Sequence, residues 1–175
     1  TIRVAKKTKG IQQVVVTSDS EKYLNIAKKY GADILHLRSK KNSSNIASDF
    51  DFFKELIIFF NKKKIDLPKI FLHLRPNCPL RKSSEIKKAL NFFIKKFNSC
   101  SAMRSVSKMS ESSYKTFEIE NNFLKGLCGK SFNIEEMNKP KQCFKSTYMA
   151  NGYIDIIKVE NIIKKKFLHG NKVLP

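Results

Sequence analysis

Residues 13–37 read QVVVTSDSEKYLNIAKKYGADILHL, and this stretch decides the fold class. The β-branched run Gln13–Thr17 predicts a strand. Ser18 and Glu21 have the spacing of a capping box, which predicts that a helix begins there and continues to the next glycine. Asp33–Leu37 is apolar again and predicts a second strand. A strand, a helix and a strand in this order indicate two parallel strands joined by a crossover helix.

The same alternation continues outward along the chain, and it predicts an α/β fold with a Rossmann-like, doubly wound, mostly parallel sheet. Further helices are predicted over 1–9, 49–63, 84–97 and 160–166, and further strands over 69–74, 99–107 and 153–159. Between the predicted strands 99–107 and 153–159, the chain has short strand candidates at 116–119 and 123–125, followed by an irregular excursion over 126–150. We expect one domain over 1–175. The excursion is either a dimerisation arm or a loop folded onto its own domain.

The formal net charge is +20, which raises the question of nucleic-acid binding. Only five of the 35 basic residues are arginine, and the lysines are spread over every predicted helix rather than gathered in one stripe. No nucleic-acid-binding motif is present, so nucleic acid is a disfavoured partner. The longest apolar run is Leu56–Phe60, far shorter than the roughly 20 residues of a membrane span. A cytoplasmic chain with no membrane partner is the default expectation.

Two of the five arginines come directly after predicted strands. Arg38 follows Leu37, and Arg75 follows Leu74. Ligands of doubly wound sheets bind outside the carboxyl ends of the strands, where both arginines are expected to lie. The planar guanidinium matches the oxygens of phosphates and carboxylates better than an ammonium does. These positions therefore predict an anion-binding site.

Five motifs lie along the chain in an order that resembles one enzyme family, the acylneuraminate cytidylyltransferases (CMP-sialic acid synthetases) of the nucleotide-diphospho-sugar transferase superfamily. The first stretch, VVVTSDSE with AKKYGA after it, is similar to the second βαβ segment of that family. Leu37-Arg38 followed by Asn45-Ile46-Ala47-Ser48-Asp49 resembles "LRP…SDTASS". Arg75–Arg81 (RPNCPLR) resembles "QPTSPLR", Tyr114-Lys115-Thr116 resembles the "YK" motif, and Asn151–Asp155 (NGYID) resembles "NGAIYI".

The resemblance implies transfer of a cytidylyl group from CTP to a nonulosonic, sialic-acid-like sugar acid, which yields a CMP-sugar and pyrophosphate. Arg38 would be the catalytic residue at the triphosphate, with Ala47 and Ser48 beside the nucleotide. The residues on the sugar side would be Arg75, Lys115, Lys141, Asn151, Gly152 and Asp155. Lys115 and Lys141 have an alternative interpretation as ordinary surface lysines.

Three departures from the family pattern leave the identity of the sugar acid open. Arg75 replaces the common glutamine, Asp49 a serine, and Asp155 a tyrosine. Two family motifs would fall outside the sequence: a Gly- and Lys-bearing nucleotide loop before Thr1, and a magnesium-binding Asp-x-Asp pair after Pro175. We therefore expect a truncated chain that is inactive alone, with no metal ligands of its own for Mg²⁺.

The resemblance also implies a homodimer. Other interpretations remain open at this point: a nucleotidyltransferase for a different sugar, a basic binding protein, or an inactive fragment.

Overall fold

The computed structural model describes residues 1–128 and 133–175. It divides the chain into two compact units, one formed by Thr1–Ser105 with Gly152–Pro175 and the other by Val106–Asn151. The expectation of one domain over 1–175 with an excursion at 126–150 stays a prediction. Within that excursion, residues 129–132 lie outside the part of the chain that the structure describes.

Helices and strands alternate through most of the first unit, as the sequence predicts, and the second unit has further short elements between residues 117 and 137. The helices are α1 (Ile2–Lys7), α2 (Glu21–Lys29), α3 (Asp49–Lys62), α4 (Ser83–Lys95) and α5 (Ile134–Met137). The strands are β1 (Val15–Ser18), β2 (Ile34–Leu37), β3 (Ile70–His73), β4 (Ala102–Lys108), β5 (Phe117–Glu120), β6 (Phe123–Gly126), β7 (Tyr148–Lys158) and β8 (Val173–Leu174). A π-helical turn, Asn161–Lys165, follows β7.

The strand pairings confirm an α/β fold but mix parallel and antiparallel neighbours. Strands β1 and β2 are parallel, with Val15 opposite Ile34, as the opening βαβ pattern predicts. A four-stranded sheet has the order β3-β7-β4-β8. In it β4 and β8 are parallel, whereas β3 and β7 are antiparallel with His73 opposite Asp155. The long stretch between β4 and β7 allows β7 to enter beside β3 in the reverse direction, so these pairings are not those of a mostly parallel sheet.

Strand β7 has a hydrophobic core on each face. Side chains alternate along a strand, so Ile157 joins Phe71 and the phenylalanines of α3 in one cluster. Ile156 points the other way and joins Ile86 of α4 in the second cluster. Burying an aromatic or aliphatic side chain of this size stabilises the fold by about 1.5–3 kcal/mol. The centre of this sheet is thus fixed by apolar packing from both sides.

Two local predictions were wrong. The capping box at Ser18 and Glu21 does not form, because β1 extends through Ser18 and the N-cap of α2 is Ser20, whose side chain makes no capping hydrogen bond. The last strand was predicted to begin at Tyr153, but β7 begins at Tyr148. Among the described helices, none is both long and apolar enough to span a membrane.

Candidate functional site

Arg75 lies just beyond the carboxyl end of β3 and binds two carboxylates. Its Nη1 donates a hydrogen bond of 2.8 Å to Asp155 Oδ2, and its Nη2 donates to the carboxylate of Asp49 at the start of α3. About a quarter of the Arg75 side chain remains exposed. The structure therefore places an arginine, partly open to solvent, where the sequence predicts an anion-binding residue.

Asp155 is the buried centre of this cluster, with a side chain only 1% exposed. Arg104 Nε donates to its Oδ1 at 3.1 Å, and Arg104 Nη2 donates to its Oδ2 at 3.2 Å. His169 Nε2 lies 3.7 Å from the same Oδ2. Burial alone would raise the pKa of Asp155, but His169, Arg104 and Arg75 lower the pKa far below its usual range. The carboxylate is therefore charged at neutral pH.

Strand alternation explains why these side chains meet. His73 and Asp155 are directly opposite one another in the β3–β7 ladder and share a face of the sheet. Arg75 follows His73 by two residues and keeps that face. Arg104 alternates with Met103, which packs on the opposite side against α4. Sequence reasoning missed Arg104, although an arginine inside an apolar strand is a signal that a buried acidic partner exists.

His73 separates the arginine cluster from the α3 core. Its ring packs edge-on against Phe52 and Phe53, at centroid distances of 5.4 and 5.2 Å. Burial, and then the positive charge of Arg75, lower the pKa of His73 to about 4, although Asp49 and Asp155 act in the opposite direction. The imidazole is consequently neutral at physiological pH.

Arg81 fixes the loop after β3 to β7. It is 4% exposed. Its guanidinium donates to the carbonyl of Tyr153, to that of Gly152 at 2.8 Å and to that of Cys78 at 2.6 Å. Gly152 has a φ of +67°, and a Cβ built on it would approach Asn77 at 3.6 Å. Gly152 therefore lies against the Arg75–Arg81 loop, and its role toward a sugar stays a prediction.

Arg38 begins the loop after β2. Its backbone N–H donates to Ser18 O at 2.8 Å, and its guanidinium lies 5.5 Å from the centroid of the Phe52 ring. The Nε atom is buried and has no hydrogen-bond partner within the described part of the chain. A buried guanidinium nitrogen without an acceptor favours an anion beside it. The catalytic role of Arg38 stays a prediction.

Glu55 of α3 holds the residues that follow Arg38. Its carboxylate accepts hydrogen bonds of 2.8 Å from both the backbone N and the hydroxyl of Ser39, and it also accepts from the Asn42 amide. His36 Nε2 lies 3.6 Å from the same carboxylate. Because these partners favour the charged form, the pKa of Glu55 is lowered even though burial would raise it. One acidic side chain thus orders the start of the loop.

Ser48 serves as the N-cap of α3. Its hydroxyl accepts from Asp51 N, and Asp51 returns the contact to the Ser48 backbone, so a capping box forms here. Ala47 N donates to Ser44 O at 3.0 Å in the same turn. The structure gives Ser48 a helix-capping role, while the nucleotide contacts of Ala47 and Ser48 stay predictions.

The remaining predicted sugar-side residues belong to the second unit. Lys115 Nζ donates to Lys139 O at 2.8 Å, Lys141 Nζ donates to Ser110 O, and Asn151 Nδ2 donates to Ser107 Oγ at 2.9 Å. Both lysines therefore bind backbone carbonyls of their own unit. The structure brings Arg75 and Asp155 together in the first unit; the roles of Lys115, Lys141 and Asn151 stay predictions.

Within residues 1–128 and 133–175, no group of three or more His, Cys, Asp or Glu side chains is arranged to hold a metal ion. The carboxylates of the site, Asp49 and Asp155, are paired with arginines instead. In the described part of the chain, these two carboxylates are therefore not arranged to hold a Mg²⁺ ion.

Comparison with known proteins adds three relatives. An N-acylneuraminate cytidylyltransferase of Escherichia coli is 34% identical over 93 residues, 53% of this chain and 21% of that protein. A CMP-N,N'-diacetyllegionaminic acid synthase of Legionella pneumophila is 23% identical over 175 residues, 100% of this chain and 72% of that protein. A bifunctional pseudaminic acid cytidylyltransferase and hydrolase of Helicobacter pylori is 29% identical over 122 residues, 69% of this chain and 22% of that protein.

The chain is similar in sequence to enzymes that form CMP derivatives of acylneuraminic, legionaminic and pseudaminic acids. The resemblance that the five motifs indicate is thereby confirmed. No family model matches the chain. The matches span only about a fifth of the E. coli and H. pylori relatives. The similarity to the Legionella synthase covers the whole chain and so includes every predicted site residue.

Proposed function

We propose that the full-length protein transfers a cytidylyl group from CTP to a carboxylated nine-carbon sugar acid and releases pyrophosphate. The observation that carries the proposal is the placement of Arg38 and Arg75 directly after β2 and β3 in a homologue of cytidylyltransferases. The Phe52 ring contacts the Arg38 guanidinium and also the His73 imidazole, which shares a sheet face with Asp155, the partner of Arg75. The relatives' names concern acylneuraminic, legionaminic and pseudaminic acids, and we propose that class for this protein.

The anomeric hydroxyl of the sugar acid attacks the α-phosphorus of CTP. A phosphorus–oxygen bond forms to the sugar, the bond to the β-phosphate breaks, pyrophosphate leaves, and the hydroxyl proton passes to solvent or a base. Arg38 neutralises charge on the triphosphate, and Arg75 orients the sugar through its carboxylate. Catalysis by positioning and by fixed positive charge fits such a reaction, because no covalent enzyme intermediate is needed.

The full-length protein would be a cytoplasmic homodimer that requires Mg²⁺, with metal ligands other than the residues described above. Its sheet would be the Rossmann-like, doubly wound sheet of nucleotide-binding folds, into which β7 enters in reverse. Lys115, Lys141 and Asn151 would contribute to the sugar pocket, and Ala47 and Ser48 to the nucleotide pocket.

A pyrophosphate-release screen tests the proposal directly. The full-length protein is incubated with CTP, UTP or ATP and with N-acetylneuraminic, legionaminic or pseudaminic acid. We expect turnover with CTP and at least one of these acids, and a loss on the order of 100-fold in Arg38→Met. Arg3→Met is the matched control, because Arg3 is exposed and packs on Tyr30 instead. Wild-type turnover in Arg38→Met would contradict the role of Arg38, and use of UTP or ATP alone would contradict the cytidylyl assignment.

A further inference from the structure

Asp155 is an unusual residue for the middle of a sheet. It lies on β7 between Ile154 and Ile156, both of which are buried in a hydrophobic core, and its own side chain is 1% exposed. Burying a carboxylate is strongly unfavourable unless it is paired and hydrogen-bonded. Here both oxygens accept from arginines, and Oδ2 accepts from two of them. A substrate could reach this carboxylate only by breaking those bonds.

The two arginines are less buried than the carboxylate they share. The side chains of Arg75 and Arg104 are 26% and 35% exposed, so each remains partly open to solvent. Donation from Arg75 Nη1 and Arg104 Nη2 to one oxygen brings two positive groups close together. A guanidinium pair oriented by a buried carboxylate is a preorganised binding site for a carboxylate ligand.

The second negative charge at the cluster differs from the first. Asp49, which binds Arg75 Nη2, is 37% exposed and lies at the first residue of α3. A partly exposed carboxylate at a helix N-terminus exchanges with solvent and ligand at little cost, whereas the buried Asp155 cannot. When a ligand carboxylate displaces Asp49, Asp155 remains as the fixed negative charge beside the two arginines, and the ligand takes the place of the Asp49 carboxylate.

We propose that Arg104 binds the carboxylate of the sugar acid together with Arg75, and that Asp155 is a positioning residue that holds this arginine pair. The inference rests on the proposed function and deepens it. It adds Arg104, which no sequence motif indicates. It also changes the role of Asp155 from contacting the substrate to holding the two arginines that contact it.

Selectivity between an acid and its uncharged ester separates carboxylate recognition from a structural role. For N-acetylneuraminic, legionaminic and pseudaminic acids, the acid and its methyl ester are compared in the full-length protein, by kcat/KM and by calorimetric affinity. The variants are Arg104→Gln, Arg104→Lys and Asp155→Asn, with Arg3→Gln as the matched control. Thermal unfolding of each variant reports its folding. Of Arg104 and Asp155, Arg104 is the residue that tolerates substitution better, because about a third of its side chain is exposed.

We expect the acid-over-ester preference to fall on the order of tenfold or more in Arg104→Gln and Asp155→Asn, and less in Arg104→Lys, which keeps the charge but not the fork. Arg3→Gln should keep the wild-type preference. An unchanged preference in a folded Arg104→Gln variant overturns the inference while leaving the proposed function intact. If wild type turns over none of the three acids, the proposed function fails, and the calorimetric comparison still tests the pair. A wild type that binds acid and ester equally well overturns the inference.

Discussion

Arg81 Nη2 donates a hydrogen bond of 2.8 Å to the carbonyl oxygen of Gly152, 71 residues further along the chain. This contact joins the loop after β3 to β7, the two places where the family motifs RPNCPLR and NGYID occur. Arg81 is almost fully buried and all four of its hydrogen-bond acceptors are uncharged. Desolvation lowers the pKa of Arg81, although the guanidinium stays charged at any physiological pH.

Replacing Arg81 by methionine should destabilise the first unit by about 3 kcal/mol, because the carbonyls of Cys78, Gly152 and Tyr153 lose the hydrogen bonds that the buried guanidinium donates. Urea denaturation measures the change in the free energy of unfolding. Lys82→Met is the neighbouring control, since the side chain of Lys82 is exposed. Equal midpoints for the two variants would contradict the structural role of Arg81.

His73 should make stability depend on pH. The unfolded chain binds a proton near pH 6.5, the folded state only near pH 4, so acidification between those values favours unfolding. The loss attributable to His73 is on the order of 3 kcal/mol. Stability of wild type and His73→Gln is compared across that range, and the difference between them isolates His73 from His36, whose pKa is also lowered by burial. Parallel profiles would disprove the assignment. The lowered pKa of Asp155 adds its own loss of stability, which begins at about pH 5 and grows at lower pH, and this loss is common to both proteins.

Ser48 offers a test that separates helix capping from nucleotide contact. Ser48→Ala removes the cap of α3 and should cost about 1 kcal/mol in urea unfolding, whereas Ser48→Asn retains a capping oxygen. Ser44→Ala serves as the control from the same loop. If the hydroxyl contacts only Asp51, the KM for CTP of Ser48→Asn should match that of wild type. A severalfold rise in that KM, without loss of stability, would instead support the predicted nucleotide contact.

Glu55→Gln should loosen the residues after Arg38, because an amide cannot accept all of the hydrogen bonds from Ser39 and Asn42. Amide exchange at Ser39 and Asn42 should become faster, and the KM for CTP should rise severalfold. Lys54→Gln, an exposed neighbour on α3, is the control. Unchanged exchange at Ser39 would show that the loop is ordered by other contacts.

The sequence predicted the local elements well where apolar periodicity was strong. The βαβ unit of β1, α2 and β2 was predicted with its parallel strands, and the boundaries of α3 and β3 came within a few residues. The direction of β7 was not predictable from periodicity, because an apolar strand has the same pattern whichever way it runs. The prediction of a capping box at Ser18 was wrong because Ser18 is the last residue of β1.

For the candidate site, the two arginines that follow strands were evident from chain order, and Arg104 was not. Its role depends on a cross-strand neighbour, Asp155, that is remote in sequence. Pairings of this kind become visible only when strand order and register are known. The Asp49 contact to Arg75 has the same origin, since it joins the start of one helix to the end of a different strand.

Strand β7 lies between β3 and β4 in the sheet, although the chain makes the whole of Val106–Asn151 before returning to it. During synthesis from the N-terminus, β3 and β4 therefore leave the ribosome with the place between them empty and their edges unpaired. Such edges invite pairing with other chains. The arrangement of Arg75 and Arg104 around Asp155 has to wait for translation of β7, which ends at Lys158, and the sheet is complete only after β8 has followed.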